Sequence, residues 1–176
     1  MANKKSTPSH PSLDSYLEKR NFKKTPEPKE NRLEEHEHLV FVVHKHASRS
    51  LHYDLRLESN GVLKSWAVPK GFSTDPKVRH LAVQTEDHPM SYANFAGTIP
   101  EGEYGAGTVE IWDKGTYKNL KEGQTLEEGI ERGEITVWFD GKKLKGSYAL
   151  IHTNYGKGDK SWILFKMKDH QQDLSA

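Results

Sequence analysis

The chain has 176 residues, 34% of them hydrophobic and 29% charged, with a formal net charge of +1 and no cysteine. That length suits one domain with a real core beneath a very polar surface. The missing cysteines exclude disulfides, thiol catalysis and thiolate metal ligation. The near-zero charge confines any nucleic-acid site to a local patch. No apolar run approaches a membrane span, and none follows the lysines of "MANKKSTPSHPS", so no membrane contact and no secretory leader are expected. A cysteine-free chain suits a reducing, cytoplasmic compartment.

In chain order, residues 1–12 offer Ser, Pro and Lys with nothing to bury and read as a disordered basic arm. "SLDSYLEKRNF" (12–22) reads as a short helix capped by Ser12 or Asp14, with Leu13, Tyr16, Leu17 and Arg20 on one face. Pro26 and Pro28 in "KKTPEPKE" force extended backbone after it. From Leu39 the pattern turns to strand. "LVFVVHKH" and "SLHYDLRLE" are followed by a hairpin turn at "SNG" (59–61), and "VLKSWAV" returns. "HLAVQTE" is the next strand, stopped by Pro89. "IPEGEYGAG" is glycine-rich but lacks the lysine and the strand–helix junction of a P-loop, so it reads as a rigid, shaped loop. "GTVEIWD" and "KGTYKNL" read as two strands across a "DKG" turn (113–115), and "TLEEGIERG" (125–133) as a short helix. "EITVWFD", a turn within 140–146, "GSYALIHT" and "SWILFKMKD" complete the pattern. The sum is a mainly β fold, an antiparallel barrel or sandwich of about eight strands with short flanking helices, in one domain over 13–170 and a tail over 171–176.

The alternation in "SLHYDLRLE" carries chemistry. Strand side chains alternate faces, so His52, Asp54 and Arg56 point one way while Leu51, Tyr53, Leu55 and Leu57 point into the core. His44 and His46 share a face just upstream, and a tight connection before His52 lets His46, His52 and Asp54 converge. Two imidazoles and a carboxylate form a ligand set for Mn2+, Fe2+ or Zn2+. Arg56, one step further, is built to fork onto an anionic oxygen. The same alternation also describes a solvated polar strand face, and spacing alone leaves both readings open.

Weaker candidates follow. "EDHP" sets Glu86, Asp87 and His88 before Pro89, with Tyr92 four residues after His88. His88 is a candidate third ligand, phosphate contact or general acid, against a turn capped by Asp87. Lys70 in "WAVPKG" and the pair Arg79–His80 are candidate anion contacts, against solvated loop positions. No serine stands in a nucleophile elbow and no carboxylate pair is spaced as an acid–base couple, which disfavours serine hydrolases and glycosidases.

The strings "HKHASRSLHYDLRLE", "LKSWAVPKG", "LAVQTEDHPMSYANFAGTIPEGEYGAG" and "WDKGTY" resemble the 3′-phosphoesterase domain of DNA ligase D repair proteins, or its stand-alone form, from about Leu17 to Asp169. The resemblance implies a compact β-barrel and a prokaryotic, nucleoid-associated, Mn2+-dependent enzyme of non-homologous end joining, with Co2+ or Zn2+ as other occupants of its site. It implies removal of a 3′-terminal ribonucleoside from a primer–template, then of the remaining 3′-phosphate, to leave a 3′-OH. It implies His46, His52 and Asp54 as metal ligands and Arg56 as the phosphate-binding arginine. Arg79 and His80 would assist Arg56, and His88 and Tyr92 would serve phosphate removal. Lys70 is implied as an active-site lysine, and Arg20, Asn21 and Glu27 as an N-terminal segment that assists catalysis.

The chain departs from the family pattern at three places. Asn21 stands where Asp is common, His44 where Gln is frequent, and His80 at or beside a usual Arg, which puts the phosphate-removing step in question. The length holds no ligase or polymerase domain, so separate ligase, polymerase and Ku-type proteins are expected as partners of a monomer. The lysines and arginine at 4, 5, 19, 20, 23 and 24 are expected to run along a duplex backbone, Lys4 and Lys5 equally as a solubilising arm. The competing reading is a non-catalytic barrel that binds nucleic-acid ends and recruits a ligase.

Overall fold

A computed structural model describes residues 5–7, 10–33, 38–153 and 159–168. Lys4 and the 171–176 tail lie outside the described residues. The elements run β1 (Lys5–Thr7), α1 (Asp14–Glu18), β2 (Asn31–Leu33), β3 (Leu39–Ala47), β4 (Leu51–Ser59), β5 (Val62–Val68), β6 (Arg79–Pro89), β7 (Gly97–Ile99), β8 (Gly107–Asn119), α2 (Leu126–Arg132), β9 (Glu134–Asp140), β10 (Lys145–His152) and β11 (Ser161–Lys166). Short 3-10 turns lie at Pro11–Leu13 and Met90–Asn94.

Eight of the strands close on themselves in the order β3-β4-β5-β6-β11-β10-β9-β8, and β8 returns to β3. Every pairing is antiparallel. Closure leaves these strands no unpaired edge. β7 pairs with β8, and β1 pairs with β2 outside the barrel, within the stretch read as an arm. Asn60 and Gly61 take φ of 52° and 80°, the left-handed pair that a two-residue hairpin loop between β4 and β5 requires. α2 begins with a capping box between Thr125 and Glu128 and ends at Gly133.

Two hydrophobic layers share one wall. Phe41, Val43, Leu55, Leu57, Trp66, Val68, Phe139, Tyr148 and Trp162 fill the barrel interior. Val42 on β3 and Leu63 on β5 face the other way and pack against Tyr16, Tyr92, Phe95 and Val109. β3 and β4 are therefore buried on both faces along their middles. At about 1.5–3 kcal/mol per fully buried large apolar side chain, each layer anchors the wall. The polar residues of β3 and β4 point into the outer layer, so the candidate site lies on the outside of the barrel, beneath α1 and the Met90–Asn94 turn.

Several local expectations are corrected. Leu51 is 49% exposed, because it sits at the strand tip where no second layer reaches. The helix expected over 12–22 is only five residues of α-helix after a 3-10 turn; His10 Nδ1, and neither Ser12 nor Asp14, accepts from a backbone amide at its start. Pro89 ends the strand as expected, but Glu86, Asp87 and His88 lie within β6 and not after it, and Pro89 itself pairs with Val62. Asp87 caps no turn and takes Lys64 Nζ at 2.8 Å.

"DKG" is not a turn either. β8 is continuous for 13 residues and is bent by a register shift opposite Val43/His44. The buried Asp113 accepts amides of Lys114, Lys142, Lys143 and Leu144 at 2.7–3.1 Å, which ties β8 to the β9–β10 connection. Gly115 lets Asp140 O come so close that a Cβ would sit 2.2 Å from it. Turn-forming residue types here serve a long-range contact. Asp113→Ala strands these amides and is expected to cost about 3 kcal/mol; urea unfolding should show a lower midpoint at an unchanged m-value.

Candidate metal centre and phosphate pocket

Strand register assembles the first cluster. His46 stands opposite His52 and His44 opposite Asp54 across the β3–β4 ladder. His46, His52 and Asp54 each offer one ligand atom, all within 4.8 Å of one another. His46 Nε2 lies 2.7 Å from Gly105 O, and His52 Nδ1 lies 3.1 Å from Ser50 O. Carbonyls only accept, so these nitrogens carry the hydrogens. That leaves His46 Nδ1 and His52 Nε2 facing the two oxygens of Asp54 at 3.5 and 3.3 Å. Each ring donates a proton to the carboxylate in the absence of a cation and offers its lone pair to a cation placed between them. Outer carbonyls that set the tautomer of inward-facing imidazoles are a support that metal-ligating histidines use. The donor set fits a divalent cation of the Mn2+, Fe2+, Co2+ or Zn2+ kind.

Burial pushes the Asp54 carboxyl up, but hydrogen bonds from His46 and His52 and the Arg56 charge outweigh it and hold it well below the usual range. The hydrogen bond to Asp54 raises His52. A proton shared by this pair is what a cation has to displace.

Arg56 adjoins the cluster. Its Nε donates to His44 Nδ1 at 3.2 Å, its Nη1 to Ser65 Oγ at 3.0 Å, and its Nη2 lies 3.5 Å from Asp54 Oδ2. The guanidinium carbon lies 4.7 Å from the centre of the Tyr92 ring. His44 is fully buried and its Nε2–H donates to Phe95 O at 3.0 Å, which leaves Nδ1 to accept. Burial, helped by the Arg56 charge, pushes His44 down to about 3, so it is a neutral acceptor.

A second guanidinium enters from the N-terminal segment. Arg20 Nε donates to Glu27 Oε2 at 2.9 Å, its Nη1 to Glu86 Oε1 at 3.3 Å, and its Nη2 lies 3.4 Å from His88 Nε2. The same Glu27 oxygen accepts from Tyr92 OH at 2.8 Å, and Glu27 Oε1 accepts from Thr25. Burial lowers Arg20, but the Glu27 carboxylate more than offsets it. His88 Nδ1 lies 2.9 Å from Glu86 O and 3.1 Å from Arg56 Nη1, so one ring meets both guanidiniums, Arg56 at Nδ1 and Arg20 at Nε2. Burial first, then Arg56 and Arg20, drive His88 well below its ordinary value. The two guanidiniums, His88, Tyr92 and the donor triad line one pocket of about 330 Å3.

Four expected residues are not among those lining that pocket. Lys70 is exposed beyond the end of β5. Arg79 lies over the Phe165 ring, and His80 Nδ1 is bonded to Gly71 O at 2.7 Å. Arg79 and His80 sit at the opposite end of β6 from His88, and a strand advances about 3.3 Å per residue. Asn21 is exposed, with its Oδ1 accepting from Lys23 N. Conversely, Glu86, Ser65 and Tyr104 line or orient the pocket without having been assigned roles. Ser65 was detectable as the small polar residue in the apolar run "VLKSWAV"; Tyr104 had no periodic signal, because it lies on a loop.

A three-donor cation site against a buried guanidinium is the arrangement of a barrel that handles anionic oxygens. Residues 44–152 match the family model described as the DNA Ligase D 3′-phosphoesterase domain. The chain is 48% identical, over 92% of its length, to the multifunctional non-homologous end joining protein LigD of Pseudomonas aeruginosa. It is 48% identical over 75% of its length to the multifunctional non-homologous end joining DNA repair protein LigD of Mycobacterium tuberculosis. For the LigD protein of Mycolicibacterium smegmatis the figures are 44% and 90%. The chain belongs to the DNA ligase D 3′-phosphoesterase domain family. It spans 16–21% of the length of these relatives. Among the described residues, no helix is long and apolar enough to cross a membrane.

Glu27 is 4% exposed and holds both Arg20 and Tyr92. Glu27→Ala leaves a buried guanidinium short of its partner and is expected to cost about 3 kcal/mol in denaturant unfolding, with Glu27→Gln losing less.

Proposed function

We propose that the chain is a DNA 3′-end-healing phosphoesterase that removes a 3′-terminal ribonucleoside, then the 3′-phosphate, and leaves a 3′-OH for repair synthesis or ligation. The observation that carries this reading is the Arg56 fork held 3.5 Å from Asp54, beside two imidazoles whose ring nitrogens face the same carboxylate. A cation and a guanidinium so placed share one phosphate between them.

In this reading His46, His52 and Asp54 hold Mn2+, with Co2+ or Zn2+ as other occupants. When bound, the metal supplies Lewis-acid polarisation of a phosphate oxygen. Arg56, preset by His44, Ser65 and Asp54, binds non-bridging oxygens and stabilises the charge that grows on them. Arg20 adds a second positive charge, positioned by Glu27 and Glu86. His88 is neutral at neutral pH between the two guanidiniums. The negative charge of an incoming phosphate offsets them and lets His88 take a proton from solvent. His88 gives that proton to the leaving oxygen as water bonds to phosphorus, the ester P–O bond breaks and the attacking water's proton returns to solvent. Tyr92 backs Arg56 with its ring and meets the His88 ring edge-on at 4.7 Å. Lys70, Arg79 and His80 are not among the residues lining this pocket. Ligase, polymerase and Ku-type activities come from other proteins or from other domains.

The direct test is a primer–template ending in one ribonucleotide, incubated with protein and Mn2+ beside a chelator control. Shortening followed by loss of the terminal phosphate is the expected result; unchanged substrate that is nonetheless bound identifies an end-binding module instead. Asp54→Ala and His52→Ala should each abolish both steps while circular dichroism stays native. Near-normal turnover in either variant removes the ligand assignment. His88→Ala should slow phosphate removal more than ribonucleoside removal, read from single-turnover rates of the two steps on separate substrates. Arg56→Lys keeps the charge and loses the fork, and kcat should drop by about 10²–10³.

A further inference from the structure

Beside the pocket lies a polar groove of about 440 Å3, lined by Ser12, Ser15, Lys19, Thr85, Glu86 and Tyr104 among others. Thr85, Glu86 and Tyr104 line the pocket as well, so the two cavities share a wall. Tyr104 is 49% exposed, although large apolar and aromatic side chains elsewhere around the pocket are buried. It has a firm base. The loop carrying it folds back through Glu103 N–Pro100 O and Ala106 N–Glu103 O bonds at 3.2 and 3.1 Å. The next residue, Gly105, gives its carbonyl to His46 at 2.7 Å. An exposed ring is thus held at a set distance from the donor triad. Lys19 Nζ and Arg20 Cζ lie 4.9 and 5.3 Å from its centroid, and both are also paired with Glu86, which lines the pocket and the groove alike.

We propose that Tyr104 is a stacking platform for the nucleobase of the nucleotide that bears the reacting 3′ phosphate. The proposal deepens the phosphoesterase reading and rests on it for the identity of the ligand. Every base has a π face, so such a platform grips a terminus without reading its sequence, and it is rigid before the substrate arrives. The polar groove beyond Tyr104, with Lys19 at its edge, takes the next backbone phosphate. The pocket then recognises a nucleotide end as a unit, through phosphate at Arg56 and base at Tyr104, and discriminates against small phosphate esters.

The test compares two fluorescent duplexes that end in a 3′-phosphate, one with a normal terminal nucleotide and one with an abasic tetrahydrofuran residue there. Anisotropy titrations in EDTA measure binding with turnover blocked. Wild-type protein should bind the base-bearing end about tenfold more tightly, Tyr104→Phe should keep that ratio, and Tyr104→Ala should bring it to about one. If Tyr104 only props up Lys19 and Arg20, Tyr104→Ala weakens both duplexes equally and the ratio survives, which overturns the proposal. A wild-type protein without preference overturns it too. Hydrolysis by wild-type protein with Mn2+ is scored separately: a base preference without hydrolysis leaves the platform standing and removes the phosphoesterase reading, while hydrolysis without a base preference does the reverse.

Discussion

A guanidinium buried in a protein wall must satisfy its donors or be expelled, and Arg56 shows how this chain meets that demand. One donor goes to a histidine kept neutral by burial, one to a serine, and one edge faces a carboxylate. A charge this well held costs little to reorganise when an anion arrives, which is the condition for strong electrostatic stabilisation of a transition state. Each holder is itself held. His44 is tied to Phe95 O, and Asp54 sits between two imidazoles that are oriented by backbone carbonyls. The site is therefore a network with few free rotamers.

The barrel supplies the rigidity. Odd-numbered residues of β3 and β4, such as Phe41, Val43, Leu55 and Leu57, pack the interior, while their even-numbered neighbours carry the polar groups outward. Closure of the sheet and the second layer of Tyr16, Tyr92 and Phe95 bury the outward face as well. Burial from both sides depresses His44 and His88 and keeps the pocket dry enough for its charges to matter.

The strand-borne half of the site was readable in the sequence because period-two alternation is a local property. His46, His52, Asp54 and Arg56 fall together once the β3–β4 hairpin is granted. Arg20, Glu27, His88 and Tyr92 come together only through tertiary packing, and no spacing announces it; the family resemblance, not periodicity, pointed to them. Lys70, Arg79 and His80, which the resemblance also implies, are not among the pocket's lining residues. The fold followed the same division. The hairpin signal at "SNG" marked the β4–β5 turn, and the short helix expected over 125–133 is α2. "DKG" misled because Asp and Gly there meet the chain near residue 141 at the end of the neighbouring strand β9, a contact that a local window does not contain.

That the chemistry is carried on the outer wall, with a separate packed interior behind it, divides the labour of the molecule. Side chains such as Val43, Leu55 and Trp66 hold the interior, while those one position along the same strands, His44, Asp54, Arg56 and Ser65, build the candidate site. Heat tolerance and turnover are thus open to separate selection, and a lineage moving to a warmer habitat can exchange its inner side chains while the outer ones stay untouched.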